Sequence, residues 1–150
     1  MLRALLLIFI ATTAPGLSLA QTRFLADIAE ARKVSEGIIA SVAASNFAGA
    51  TKELRSLSVI APTDFDVFEA QFNSQQANLL RQFGETEGYE FVREDKSGSR
   101  LVRSQYLVFH KNAPIRWLFV FYKTQKGWVI SHFVFEGNAI VYFPGLLGAA

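Results

Sequence analysis

From Tyr89 onward, runs rich in Val, Ile, Phe, Tyr and Trp alternate with short breaks: Asp95-Lys96-Ser97-Gly98, Lys111-Asn112-Ala113-Pro114 and Thr124-Gln125-Lys126-Gly127. Turn residues at this spacing predict strands at about 89–94, 101–110, 115–123 and 128–136, with a last short strand near 141–143. A parallel crossover needs about a dozen residues or more, so connections this short allow only antiparallel neighbours. This half of the chain therefore reads as a β-meander.

The central strands add a second constraint. In 115–123, Ile115, Trp117, Phe119 and Phe121 share one face and Arg116, Leu118, Val120 and Tyr122 the other. Strict alternation divides the next strand into Trp128, Ile130, His132 and Val134 against Val129, Ser131, Phe133 and Phe135. Both faces are apolar, whereas an antiparallel sheet with one wet face normally alternates apolar with polar. The second face needs cover, and a second copy of the chain is the economical candidate.

The first half is helical in period. Phe24, Ile28, Ile38, Ile39 and Val42 recur at helical intervals between charged residues, predicting a long helix capped at Thr22 and stopped at Ser45-Asn46. A shorter helix runs from Phe47 to about Leu57. After Pro62, Thr63 and Asp66 make a near capping box for a third helix, with Phe65, Phe68, Phe72, Leu79, Leu80 and Phe83 as its apolar stripe and Gly84 as its end. Helices first and a meander second give an α+β domain over residues 21–143, with three N-terminal helices packed on one sheet face. Residues 144–150 read as a loose, small and apolar tail.

Three helices leading into a bent antiparallel sheet, with Arg116-Trp117, Phe121-Tyr122-Lys123 and Gly127-Trp128 spaced as here, resemble the nuclear transport factor 2-like superfamily, closest to its small exported bacterial members of unknown function. The resemblance spans about residues 24–143. It implies a cone-like fold in which helices and a curved sheet enclose a pocket, with dimerisation through the outer sheet face. It does not fix an activity, because that superfamily hosts isomerases, cyclases, dehydratases, adaptors and binders.

Chemistry-bearing motifs are sparse. There is no Gly-rich phosphate loop, His-Glu-x-x-His, Gly-x-Ser-x-Gly or Ser-x-x-Lys. With His110 and His132 as the only histidines, nothing in the spacing suggests a metal site or calls for a cofactor. The two central strands lack Asp and Glu, which argues against the pocket carboxylate that the resemblance implies for an isomerase. His132 is the one titrating candidate inside the sheet. A His132 base with Tyr106 or Tyr122 as hydroxyl donor can abstract a proton beside a carbonyl, though a core histidine bonded to backbone is the commoner role. Arg103 can hold an anionic group, and Trp117 and Trp128 can line an apolar pocket. Arg103, Tyr106, Trp117, Trp128 and His132 are thus the candidate ligand residues.

The N-terminus supplies a location. Arg3, the apolar run from Ala4, the break at Pro15-Gly16 and the small residues Ser18 and Ala20 predict a cleavable signal peptide over residues 1–20. The run before Pro15 is about half of the roughly twenty apolar residues that a span needs. Cysteine is absent, so there is neither a disulfide framework nor a lipid-bearing cysteine, and a periplasmic or secreted bacterial protein is expected. Without Arg3, 14 of the 15 basic residues face 13 acidic ones. That balance is no nucleic-acid footprint, although residues 89–127 are mildly basic.

The expected function is an exported, non-catalytic binding module with an apolar cone pocket, taking a small apolar or anionic ligand or a partner protein. The alternatives are an isomerase or cyclase-type enzyme using His132, and a structural envelope-interaction protein with a filled interior. A large cavity on which His132 and Tyr106 converge would favour a binder or enzyme, and a packed interior the third.

Overall fold

The computed structural model describes residues 22–138. The expected signal peptide, the short strand near 141–143 and the tail all lie outside these residues. The order is α1 (Ile28–Ala43), α2 (Phe47–Leu57), α3 (Pro62–Phe83), β1 (Thr86–Ser97), β2 (Leu101–His110), β3 (Ile115–Lys123) and β4 (Trp128–Glu136), an α+β fold.

α1 begins five residues later than a cap at Thr22 would place it. Asp27 is its cap: the carboxylate accepts from Glu30 N at 2.8 Å, while the Glu30 carboxylate accepts from Ala26 N, just before the cap, at 2.7 Å, a variant of the capping box. The preceding residues are drawn to the sheet instead, where Leu25 exchanges two backbone hydrogen bonds with Trp128. α1 buries Ala31, Ser35, Ile38, Ile39 and Val42. Asn46 caps α2 by accepting from Gly49 N at 3.1 Å, just after Ser45 takes a φ of 58° that ends the first helix.

The capping box expected at Thr63 is not formed. The cap position of α3 is Ala61, without a side-chain bond, and Pro62 occupies the first turn, where its missing N–H costs nothing. α3 ends at Gly84, whose φ of 80° suits glycine. Arg55 ties α3 to α2, donating to Asp66 and Glu69 at 2.7 Å each, with its guanidinium 4.6 Å from the centre of the Phe65 ring.

The four strands form one antiparallel sheet in the order β1-β2-β3-β4. β1 runs longer than the sequence suggests: Asp95, Lys96 and Ser97, read as turn residues, pair with Arg103, Val102 and Leu101. Irregularities in β1, at Thr86/Gly88 and Phe91/Arg93, and one opposite Val120/Phe121 interrupt the register, and such bulges bend a sheet. The helices cover one face. There Val102, Tyr106, Val108, Ile115, Trp117, Phe119 and Phe121 join Phe65, Phe72 and the buried residues of α1 and α2 in a single core.

Candidate functional site

The irregularity opposite Val120/Phe121 decides the site. Phe121 pairs with Ile130, but Val120 pairs with His132, so Ser131 is extra and the alternation restarts after it. Beyond that point Phe133 and Phe135 face the helices and His132, Val134 and Glu136 face outward. His132 was expected beside Trp128 and Ile130. It is instead exposed on the outer face, opposite Val120, because the bulge reverses the parity of every later residue. The adjacent polar pair Ser131-His132 within an apolar run was the one available sign.

The five candidate ligand residues therefore divide between the two faces. Tyr106, Trp117 and Trp128 point inward and are buried; Arg103 and His132 point outward. Tyr106 is fully buried, its hydroxyl 3.1 Å from Ser35 Oγ and donating to Arg32 O at 3.4 Å. Burial pushes its pKa up, opposed by the hydrogen bond with Ser35. Beside it Ser104 Oγ is buried without a hydrogen-bond partner, and Arg32 bridges to Glu94 at 2.9 Å. None of Ser35, Ser104 or Glu94 stood out in the sequence, since each lies among other polar or charged residues and nothing in the period marks it as buried or paired.

Trp117 stacks on Phe135 with ring centres 5.1 Å apart, and Phe72 meets both rings edge-on. The space that a cone pocket would occupy is thus filled by aromatic rings. Between Val42, Phe47, Phe72, Trp117 and Phe135 the remaining cavity is ≈ 10 Å³, about the volume that a single water needs.

The outer face has a different character. Arg103 donates to Asp95 at 2.7 and 3.2 Å and holds that carboxyl below its ordinary range, so its guanidinium is already engaged. Leu101 and Tyr122 are 38% and 41% exposed, with Leu118, Val120 and Val134 half-buried among them. Beside the β1–β2 hairpin an open hollow of ≈ 400 Å³ is lined by Leu101, Val120 and Arg103 with Asp95, Lys96 and Ser97.

As a proton-transfer set the residues do not meet. The sheet lies between Tyr106 and His132, and Tyr122, which shares the outer face, forms no hydrogen bond with His132. His110 holds Gly84 O at 2.9 Å through Nδ1 against Phe83, a structural contact. Among the described residues no group of three or more His, Cys, Asp or Glu side chains is arranged to hold a metal, and no helix is long and apolar enough to cross a membrane.

Comparison with family models, with characterised proteins and with solved structures gives no match. The geometry of the chain itself must carry the functional reading.

Proposed function

We propose that the chain is an exported, non-catalytic interaction module of the nuclear transport factor 2-like cone type, pairing with a second copy through the outer face of its sheet. The observation that carries this reading is the contrast between the two faces. Inside, the cavity between Val42, Phe47, Phe72, Trp117 and Phe135 is ≈ 10 Å³, far below the roughly 300 Å³ at which small-molecule sites begin, and the larger hollow of ≈ 350 Å³ beside Phe68, Phe133 and Phe135 is an open groove at the sheet edge. Outside, Leu101, Leu118, Val120, Tyr122 and Val134 form an apolar patch that nothing among the described residues covers. The separation of His132 from Tyr106 speaks against the isomerase alternative, and the filled interior against a small-ligand carrier.

Light scattering on the exported protein tests the pairing. Val120→Glu puts a charge that needs water into the centre of the patch, beside Arg103, without touching the core, and should reduce the assembly to a smaller mass. A wild-type monomer, or a mass indifferent to Val120→Glu, would overturn the proposal.

A further inference from the structure

The two edges of the sheet are finished differently. β1 is bulged twice and carries Glu90, Arg93, Asp95 and Lys96, devices that discourage another strand. β4 is apolar along its second half. Its first half is closed by the chain itself: Leu25 exchanges hydrogen bonds with Trp128 at 2.9 and 2.8 Å, and Val59 N donates to Ile130 O at 3.2 Å.

No described residue pairs with the rest of the β4 edge. Lys123 N bonds to Arg100 O on the β2 side, so odd-numbered residues of β3 turn their backbone groups to β2, and Arg116, Leu118 and Val120 turn theirs to β4. Their partners Glu136, Val134 and His132 therefore face β3. Phe133 and Phe135 present N–H and C=O to the open edge, where no described residue pairs with them. Beside them lies an apolar groove of ≈ 350 Å³, flanked by Ile60, Phe68 and Asp64.

Gly137 and Asn138 follow β4. Neither Gly137 nor Asn138 has the positive φ that a two-residue hairpin prefers. Gly137 lies against the Phe83 ring, so closely that an added Cβ would stand 2.3 Å from Cζ. The next five residues, Ala139-Ile140-Val141-Tyr142-Phe143, have strand composition and are stopped by Pro144. A tight return onto its own β4 is thus disfavoured.

We infer that residues 139–143 add as a strand to the open β4 edge of a second copy, reciprocally and antiparallel about Asn138. Setting Asn138 opposite its counterpart puts Val141 opposite Phe135 and Phe143 opposite Phe133 of the second copy. These are the two residues whose backbone groups face the edge, and Phe143 arrives at the groove beside Ile60 and Phe68. Pro144 falls opposite His132, next to the point where Ser58 and Val59 close the edge. Segment and opening match in length and in parity. The contact is a strand addition with two-fold symmetry. It uses a different surface from the face pairing and does not depend on it.

Because the chain has no cysteine, one substitution reports this contact. Asn138 is exposed, and as a self-paired, non-hydrogen-bonded position it would sit with Cα atoms about 4.5 Å apart, within disulfide reach. Under mild oxidation at low micromolar concentration, Asn138→Cys should cross-link most of the full-length exported protein into covalent dimers, and Gln125→Cys, at a turn far from the edge, should not. Adding Val141→Pro, which removes an N–H that the exchange uses, should abolish the cross-link; adding Val120→Glu should leave it. Cross-linking of Asn138→Cys no greater than that of Gln125→Cys, or unaffected by Val141→Pro, overturns the exchange. Loss of the cross-link with Val120→Glu would show that Asn138 meets its counterpart only through the face pairing, which also overturns it.

Discussion

At the scale of single residues, Tyr106 is the side chain that most clearly joins helix to sheet. Its hydroxyl is buried, yet Ser35 Oγ also bonds Ala31 O and Arg32 O, so removing the phenol oxygen orphans nothing. Tyr106→Phe should cost about 1 kcal/mol in urea unfolding, the net worth of one neutral hydrogen bond. The pH dependence has the same origin in burial. An unfolded tyrosine ionises near pH ~10 and the folded one higher, so the folded state keeps the proton longer. The stability this contributes is complete below that pH and is lost as pH rises through the folded value; Tyr106→Phe should flatten the alkaline decline. Ser104 makes the opposite case. Its buried Oγ lacks a partner, so Ser104→Ala should leave the unfolding midpoint unchanged or raise it, and a fall of more than about 1 kcal/mol would reveal a bond that the structure does not contain.

Among elements, the attachment of α3 is the most open to test, because much of it rests on Arg55. Two charge-assisted hydrogen bonds and the contact with Phe65 are lost in Arg55→Ala, at a cost of about 1 to 2 kcal/mol after allowing for partial exposure. Arg55, helped by Thr51, holds the Glu69 carboxyl below its ordinary value. That contribution is present above the unfolded carboxyl value near ~4.3 and fades as pH falls through the folded one, so Arg55→Ala should also weaken the acid dependence of unfolding. Elements were largely legible in the sequence: β2, β3, β4 and α2 fall where periodicity and turn residues put them. What failed were features decided by distant partners. Thr22 was read as the cap, but pairing of Leu25 with Trp128 keeps the chain extended until Asp27, which with Glu30 is also the stronger local cap. Asp95 and Lys96 read as turn residues, yet opposite Arg103 and Val102 they prolong β1, held by the Arg103–Asp95 ion pair. His132 was lost to a one-residue bulge, which no hydrophobic period announces when both strand faces are apolar.

For the whole molecule, recognition is proposed to lie on the exterior. The sequence asked for cover on both sheet faces, and the helices with their phenylalanines supply it on one. They fill that side so fully that the candidate residues on it, Tyr106, Trp117 and Trp128, are core. The outer face and the half of the β4 edge that no described residue pairs are what remain for the proposed recognition, and two independent two-fold contacts on one chain close into four copies only where their axes cross at right angles. Native mass spectrometry of the exported protein tests this most directly, since it reads copy number and bound small molecules together. We predict an assembly of two or more copies, with no additional small-molecule mass, that becomes smaller in Val120→Glu. A single copy carrying a stoichiometric small molecule would contradict the account.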